Sequence, residues 1–484
     1  MKRILVIFCF FIALQSCTNE EVNSLNEVPE SNILTKSKIN DLIIEKQGKF
    51  EWNDLNDEQL YSAFTYSENL VIISWNYDSE NDLEKTKIIE FILDSEGKDK
   101  NKKDIILEID DQLNFVFAKI YKKETLLGLR RMQEVAAVEP MYAIFTESEF
   151  RTKEHTYTKK DSKINPTVFT ENSRIPVDTS CFYNHAIDVA WNYGLSGQGI
   201  EVAVIDNGVY ENDPEFGEGI NSSNRNVKKR SRYKTPWWKS WRSYKDPYPG
   251  TDGHGTTMTH LIGAPENGSK GTGVAYNTNL RTVRSTGGLL SIWIDIPDNM
   301  MGIARSFSYL SGKQNVKIIS MSQGGLIRWT PVKRGIRRCL DNGKLIFCAA
   351  GTVSSISEIN NFLGVQTITL FPANYSINNS KKVYAVTGVE KVTGSFNNAD
   401  WCQNCHGIAD FVVEFDTEGS SSNSTATTAG MAALIWAEHP NLSRSSIIGK
   451  MKQAADRTTD GTKHHLFGYG RVNMEQYLIN EGRL

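Results

Sequence analysis

The sequence predicts an α/β fold in which a parallel β-sheet, covered by helices on both faces, follows a smaller α+β domain. Residues 202–205 form a short, apolar and β-branched run, which is typical of a strand buried on both faces. Asp206 stands at the carboxyl end of this run, where open parallel sheets place their active-site groups.

Length and composition agree with this architecture and exclude several classes of protein. A chain of 484 residues with 39% hydrophobic residues can bury one large core and one small core. The net charge of −3 argues against a generally basic protein, and we predict no nucleic-acid partner. One basic and aromatic cluster lies at residues 228–248. It could be a membrane-touching or nucleic-acid-binding loop, but we favour an insertion at the cleft rim that shapes substrate access.

Three polar side chains carry the candidate chemistry. Asp206 lies in the segment VAVIDNGV, His254 lies in DGHGT, and Ser422 lies in GSSSNSTATTAGMAA, a serine-rich turn that runs into a helix of small residues. A serine hydroxyl is a poor nucleophile at neutral pH. It needs an imidazole to take its proton and a carboxylate to orient that imidazole. Asp206, His254 and Ser422 are therefore the candidate catalytic residues.

The order and local sequences of these segments resemble those of the subtilisin-like serine proteases, the subtilases. Residues 252–256 resemble the family's histidine segment, 271–280 its glycine turn, 316–325 its substrate-lining strand and 467–473 its closing segment. The resemblance covers residues 186–477. It implies a subtilisin-like sheet and a serine endopeptidase that works through an acyl-enzyme. It implies no required cofactor; calcium, which many subtilases bind, has no readable ligand set here, and no metal site is predicted.

The position of the nucleophile depends on counting within a serine-rich segment. Gly430 resembles the family glycine that lets the nucleophile's helix pack closely, and counting back from it places Ser422 at the nucleophile position. Ser424 is the alternative. Ser420 and Ala426 depart from the family pattern, which usually has a glycine and a proline at these two positions.

The resemblance also implies how the substrate is held. Ser322, Gln323 and Gly324 resemble the substrate-lining strand, along which an extended peptide would pair. Thr352 stands where the family usually has an asparagine that donates a hydrogen bond to the oxyanion. In subtilisin, loss of that donor costs roughly 2.7–4 kcal/mol of transition-state stabilisation, which slows the enzyme without abolishing its activity. We interpret Thr352 as a variant oxyanion group; the alternative is a turn residue in a weak or inactive site.

The N-terminus predicts export and lipid anchoring. Residues 1–16 resemble a signal peptide, with a basic head and an apolar run that is too short to span a bilayer. They lead into Cys17 in the sequence LQSC, which resembles a bacterial lipobox, so Cys17 is the predicted lipidation site. We expect an outer-membrane or cell-surface lipoprotein that is held at the membrane through Cys17. The alternative is an ordinary signal peptide with an incidental cysteine.

The chain between the anchor and the catalytic region is predicted to form a domain of its own. We place this domain at residues 17–150, a polar linker at 151–179 and the catalytic domain at 180–484. Hydrophobic patterns within the first of these regions predict strands at 70–74, 88–93, 113–120 and 135–144 and a helix at 124–134.

The last part of this domain, LLGLRRMQEVAAVEPMYAIF, resembles the inhibitor propeptide of subtilases. The chain's own propeptide is therefore the expected intramolecular inhibitor, and it would also assist folding. A generic adhesion or spacer domain is the alternative. Self-cleavage between Ile144 and Ser180 would separate the catalytic domain from its anchor and release it.

Five cysteines remain once the signal peptide and the lipidation site are set aside. This odd number leaves at least one free thiol, and Cys348, within an apolar run, is the natural candidate. Cys402, Cys405 and His406 form the CxxCH pattern of covalent haem attachment. No other feature indicates a redox domain, so we favour a disulfide or a structural loop. A zinc site would need a further ligand, which the sequence does not place.

These features together predict an exported, lipid-anchored serine endopeptidase that acts on protein or peptide substrates. A dedicated maturation protease for one exported peptide is one alternative, which a narrow cleavage profile would reveal. A surface binding protein on a catalytically degenerate protease scaffold is another. Thr352 and the altered serine segment favour that last alternative, whereas the intact Asp206 and His254 oppose it.

Overall fold

The structure is a computed structural model of the chain. It describes residues 33–76, 82–97, 101–144, 180–209, 231–232, 253–266, 272–286, 297–351, 369–392, 395–398, 409–416, 420–456 and 467–484. Several predictions fall outside the described residues: the signal peptide, Cys17, the linker, most of the basic cluster, Thr352, Cys402 and Cys405. Within the described part of the chain, no helix is both long enough and apolar enough to cross a membrane.

The N-terminal domain, residues 34–144, is a four-stranded antiparallel sheet that packs with helices, as expected for an α+β unit. Its strand order is β2-β3-β1-β4. In chain order its elements are α1 (Lys36–Glu45), α2 (Asp57–Thr65), β1 (Leu70–Trp75), α3 (Asp82–Glu96), α4 (Lys102–Ile105), β2 (Ile106–Asp110), β3 (Phe115–Lys119), α5 (Lys123–Arg131) and β4 (Val135–Pro140).

One predicted strand of this domain is wrong. Residues 88–93 lie within helix α3, where Ile88, Ile92 and Glu96 are buried at a spacing of four residues and form one helical face. A short apolar run fits either a buried strand or a helix face, and packing against α5 decides between them here. Strand β2 was not predicted, because it is a partly buried edge strand with only a weak hydrophobic pattern.

Residues 180–484 are built around a mostly parallel sheet. Its strand order is β13-β12-β9-β8-β5-β7-β6, and β14 also pairs with β12. Every pairing in this sheet is parallel except that of β12 with β13. The strands are β5 (Glu201–Asp206), β6 (Ser231–Arg232), β7 (Asn279–Arg284), β8 (Val316–Met321), β9 (Leu345–Ala349), β12 (Tyr384–Val392), β13 (Ser395–Asn398) and β14 (Phe411–Phe415), with a separate hairpin of β10 (Ser376–Asn378) and β11 (Lys381–Lys382).

Helices cover both faces of this sheet, which confirms the predicted fold class. The described helices are α6 (Ser180–Asn184), α7 (Ile187–Asn192), α8 (His254–Gly263), α9 (Pro297–Ser311), α10 (Thr330–Asp341), α11 (Ser421–Glu438), α12 (Arg444–Gln453) and α13 (Met474–Asn480). Side chains alternate along β5, so Val202 and Val204 join the core formed with α8, α11, α12 and α13. Ala203 and Ile205 join the core formed with α9 and α10.

The N-terminal domain packs against α9 and α10 through one continuous apolar core. Phe50 and Trp52 of the N-terminal domain meet Ile327 and Trp329 of the catalytic region, and all four are at most 1% exposed. The rings of Trp52 and Trp329 lie 5.9 Å apart. At the edge of this core the buried Arg334 guanidinium donates to three backbone carbonyls of the N-terminal domain, those of Trp75, Leu113 and Asn114. The two domains are therefore joined by packing as well as by the chain.

Glu139 is a buried titratable group at this contact. It lies in β4, is 1% exposed, and accepts a 2.8 Å hydrogen bond from the backbone N–H of Thr330 at the start of α10. Burial raises the pKa of Glu139 to about 7, and the Thr330 hydrogen bond and the charges of Lys333 and Arg334 oppose part of this rise. In a separated N-terminal domain the pKa of an exposed carboxyl would be near 4.5. The packed state therefore binds more protons than the separated state between these two pH values.

We expect the contact between the domains to weaken as the pH rises from about 5 to about 8. Because the packed-state pKa of Glu139 is the higher one, the stabilisation is fully present below pH 4.5 and is lost as the pH passes through about 7. Its upper limit is about 3 kcal/mol. In an inactive Ser422→Ala background, the urea midpoint of unfolding should fall over this range.

Two substitutions of glutamate by glutamine serve as matched variants for this prediction. Glu139→Gln keeps an acceptor oxygen for Thr330 but does not titrate, so the fall in the urea midpoint should be much smaller. Glu124→Gln, at an exposed position of α5, should behave like the parent. An equally steep fall in the parent and in Glu139→Gln would contradict the assignment.

Candidate active site

Asp206 ends β5 and is held from two sides. Its side chain is 3% exposed, and its Oδ1 accepts a 2.8 Å hydrogen bond from the backbone N–H of Asn207. On the next strand of the sheet, the backbone N–H of Ser285 donates to the Asp206 carbonyl at 2.8 Å. The carboxylate is therefore buried at the carboxyl edge of a central strand, as the sequence predicted.

His254 is the first residue of α8 and faces Asp206. Its Nδ1 lies 2.9 Å from Oδ1 and 3.0 Å from Oδ2 of Asp206. A carboxylate only accepts hydrogen bonds, so Nδ1 carries the proton, and in the neutral imidazole Nε2 is the nitrogen that can accept one. The imidazole side chain is 19% exposed, which leaves it open to a substrate. The structure thus brings together two of the three predicted catalytic residues in the geometry that a general base requires.

Gly255 makes this approach of α8 to β5 possible. Its backbone N–H donates to Asn207 Oδ1 at 2.8 Å. A Cβ at this position would lie 2.3 Å from the carbonyl oxygen of Gly208 and 3.0 Å from the Cβ of Asp206. The nearest of these atoms belongs to the backbone, so the helix would have to move away from the strand that carries the carboxylate.

We expect Gly255→Ala to separate His254 from Asp206 and to lower kcat/KM by at least about 100-fold, since a misplacement near 1 Å can cost that much. Steady-state kinetics on a peptide substrate would measure the loss. Gly449→Ala is the control, because Gly449 also lies inside a helix but a Cβ there meets nothing within 4 Å. That control should keep its activity and gain about 0.5–1 kcal/mol of stability. Full activity in Gly255→Ala would contradict the proposed packing.

The serine-rich segment begins helix α11. Ser420 is its N-cap, and the Ser420 hydroxyl accepts a 3.1 Å hydrogen bond from the backbone N–H of Asn423. Ser424 is fully buried, and its hydroxyl donates to the Ser420 carbonyl at 2.8 Å. The side chain of Ser422 is partly exposed at the start of the helix. These environments favour Ser422 over Ser424 as the nucleophile.

Two contacts fix the helix that carries Ser422. The Ser322 hydroxyl, just after β8, donates to the Ser422 carbonyl at 3.2 Å. Further along α11, a Cβ on Gly430 would lie 2.6 Å from the Cβ of Val274, so a glycine is needed for this close packing. Helix α11 also packs against α8, the helix of His254. The helix of Ser422 thus contacts both the helix of His254 and the substrate-lining segment at this edge of the sheet.

A hydrogen-bonded network behind Asp206 is the part of the site that the sequence analysis missed. The Ser285 hydroxyl lies 3.2 Å from the Asp206 carbonyl oxygen, and the side-chain amide of Gln323 bridges the hydroxyls of Ser285 and Thr286 at 3.0 Å each. Gln323 is 1% exposed. Its side chain is thus engaged inside the protein, whereas we expected it to line the substrate pocket. The available signal was the position of Ser285 directly after β7, the neighbour of β5.

The remaining predictions concern the cysteines, Thr352 and the absence of a metal site. Cys348 is a buried free thiol, as expected, and Cys339 is a buried free thiol as well. Burial raises the pKa of the Cys339 thiol to about 12, so it is an unreactive, protonated group. Gly351 is the last described residue before Thr352, which lies outside the described part of the chain. Among the described residues no group of three or more His, Cys, Asp or Glu side chains could hold a metal ion.

Comparison with known proteins places this site in a family. The model of the subtilase family of peptidases matches residues 197–470, more than half of the chain. The chain belongs to the subtilase family. Its relatives include subtilisin from Bacillus pumilus, which is 26% identical over 291 residues that make up 58% of this subtilase and 92% of the relative. Subtilisin E from Bacillus subtilis is also 26% identical over 291 residues, which make up 66% of that relative.

A solved structure supports the fold of the subtilase. The crystal structure of fervidolysin from Fervidobacterium pennivorans, a keratinolytic enzyme related to subtilisin, matches with a TM-score of 0.55 and 17% identity. The match covers 86% of this subtilase and 61% of the fervidolysin chain, so the subtilase spans less than two thirds of that neighbour. Residues 180–484 are less than two thirds of the subtilase, so the similarity in fold extends into the N-terminal domain. In family and in fold, the chain is a subtilisin-like serine protease.

Proposed function

We propose that this subtilase is an exported serine endopeptidase with Asp206, His254 and Ser422 as its catalytic residues. The observation that carries the proposal is the pairing of His254 Nδ1 with both carboxylate oxygens of Asp206, at 2.9 and 3.0 Å. This pairing fixes the imidazole tautomer that can accept a proton at Nε2. Family membership supports proteins or peptides as the substrates.

In the proposed mechanism, His254 Nε2 takes the proton of the Ser422 hydroxyl while Ser422 Oγ attacks the carbonyl carbon of a peptide bond. Asp206 stabilises the imidazolium that forms. The tetrahedral intermediate collapses when His254 gives its proton to the leaving amine. Water, deprotonated by His254, then hydrolyses the acyl-enzyme and restores Ser422.

The oxyanion would be stabilised from two directions. Ser422 stands in the first turn of α11, where backbone N–H groups have no partner within the helix and the helix dipole favours negative charge. Thr352, which follows the carboxyl end of β9, would donate its hydroxyl from the other side. With a hydroxyl in place of the longer amide of asparagine, we expect a functional but slower enzyme.

The N-terminal domain would act as the intramolecular inhibitor. Its apolar core is continuous with that of α9 and α10, and Ile144, the last described residue of the domain, belongs to this core. Cleavage in the linker would give the mature catalytic domain. Because Trp52 and Trp329 would still pack together after this cut, release from the anchor also needs the N-terminal domain to dissociate or to be degraded.

Export and anchoring rest on the N-terminal sequence alone. We propose that residues 1–16 direct secretion and that Cys17 carries the lipid, so the uncleaved chain would be held on the outer membrane or cell surface. Metabolic labelling with a fatty acid, lost in Cys17→Ala, would test the anchor separately from the catalytic function.

Covalent labelling with a fluorophosphonate probe tests the catalytic proposal. The probe reacts with a serine only when the hydroxyl is activated by its base. We expect the protein to be labelled at Ser422 once its N-terminal domain has been removed with an immobilised protease, and we expect no label in Ser422→Ala and His254→Ala treated in the same way. Peptide mapping distinguishes Ser422 from Ser424. A folded protein that has lost its N-terminal domain and still does not label would instead support a binding protein on a degenerate scaffold.

A further inference from the structure

The crevice beside the candidate nucleophile is closed at its base by one segment of chain. Strands β8 and β9 pair as far as Met321 and Cys348. Beyond that pair the segment 369–371 lies between the two strand ends. On one side Leu370 donates its backbone N–H to the carbonyl of Ala350 at 2.9 Å. On the other side Phe371 and Gly325 exchange two backbone hydrogen bonds of 2.8 Å each.

Leu370 fills the space next to Gly324. A Cβ built on Gly324 would lie 2.7 Å from the Cβ of Leu370 and 3.0 Å from its Cδ1. Gly324 therefore has no room for a side chain of its own, because the leucine already occupies that volume. Leu370 is 7% exposed, so nearly all of its surface is covered by neighbouring atoms. The leucine thus fills part of the gap between the ends of β8 and β9.

This crevice lies where a substrate side chain has to go. Ser322 follows β8 and holds the Ser422 carbonyl at 3.2 Å, so residues 322–324 run beside the candidate nucleophile. A peptide that pairs with this segment places the side chain on the acyl side of its scissile bond between the ends of β8 and β9. That side chain would meet Leu370. This step rests on the proposed function, because it takes Ser422 as the attacking group.

We propose that Leu370 determines specificity by restricting the residue on the acyl side of the scissile bond to a small side chain such as alanine, serine or glycine. We expect a leucine or phenylalanine side chain of a substrate to overlap Leu370 here, because the Leu370 side chain already comes within 3.0 Å of a Cβ built on Gly324. Close-packed interiors do not absorb several additional methylene groups without displacement of their neighbours. The substrate class is therefore proteins with small residues at the cleavage position.

The test compares peptide p-nitroanilides that differ only in the residue before the scissile bond. The protein is produced as the full-length chain and allowed to process itself. We expect kcat/KM for alanine to exceed that for phenylalanine by at least about 10-fold, which is the lower end of the discrimination that one methylene group causes in an apolar pocket. Leu370→Gly should raise the phenylalanine-to-alanine ratio of kcat/KM by at least about 10-fold. Leu370→Ala should raise the ratio by a smaller factor, and this variant replaces Leu370→Gly in the test if Leu370→Gly does not fold.

The control is Leu478→Ala, which removes a fully buried leucine from α13, outside the crevice segments. It should leave the ratio unchanged. Fluorophosphonate labelling counts the active sites and separates the two proposals. A protein that is labelled at Ser422 but prefers phenylalanine, or whose ratio does not change in either Leu370 variant, overturns this inference and leaves the proposed function intact. A folded protein that is not labelled overturns the function, and the inference is lost with it.

Discussion

Replacing Ser422 with alanine is expected to lower kcat by about 10⁶-fold, the loss seen when the nucleophile of a catalytic triad is removed. The reason is that no other hydroxyl stands at the same place: Ser424, the alternative, is buried and donates to the Ser420 carbonyl at 2.8 Å. The measurement is kcat on a peptide p-nitroanilide. Because an inactive variant does not process itself, every variant should be treated with an immobilised protease until its N-terminal domain is lost, and the protease should then be removed.

Ser424→Ala is the matched control for this prediction. It deletes a hydroxyl from the same turn of α11 and should cost about 1 kcal/mol of stability for the lost hydrogen bond. Its kcat should stay within a few-fold of the parent. If Ser424→Ala were inactive while Ser422→Ala retained activity, the register of the nucleophile would be wrong by two residues.

Replacing Asp206 with asparagine is expected to lower kcat by about 10⁴-fold, with little change in fold. The amide has nearly the same shape as the carboxylate, but its NH₂ group cannot accept the Nδ1 proton of His254. The imidazole would then favour the tautomer with its proton on Nε2, which cannot act as a base toward Ser422. The loss should appear in kcat rather than in KM, since the carboxylate does not touch the substrate.

Asp416→Asn is the control for the loss at Asp206. Asp416 also follows a parallel strand, β14, but it is exposed and hydrogen-bonds to Asn184. Its replacement should leave kcat unchanged. A loss below about 10-fold in Asp206→Asn would mean that His254 obtains its orientation elsewhere, and the assignment of Asp206 would have to be abandoned.

The sequence predicted the structure correctly where a local pattern marks both a structural element and a candidate functional residue. The run at residues 202–205 predicted a strand buried on both faces, and the structure places Val202 and Ala203 in opposite cores. Asp206 and His254 were found because each lies in a short segment typical of the family. Their proximity then followed from the carboxyl edge of one parallel sheet.

The parts that could not be predicted depend on contacts between distant residues. Gln323 was assigned to substrate binding because its segment resembles the family's substrate-lining strand, and the sequence did not show that its amide reaches Ser285 and Thr286, 38 and 37 residues away. No periodic pattern records such a contact. Leu370 likewise approaches Gly324 only after the chain has crossed between two strand ends. The strand predicted at residues 88–93 was wrong for a different reason: a short apolar run fits both a strand and a helix.

The core shared by the two domains has a consequence for biosynthesis. The N-terminal domain leaves the ribosome first, and its β1 pairs with β4 over at most 69 residues of sequence, whereas Glu201 of β5 pairs with Val316 of β8, 115 residues away. Nearby pairings form faster than distant ones, so Trp52 is in place before the catalytic sheet can close. A chain made without residues 34–144 would instead present Trp329 to solvent during its slowest folding step, when exposed apolar surface leads to aggregation.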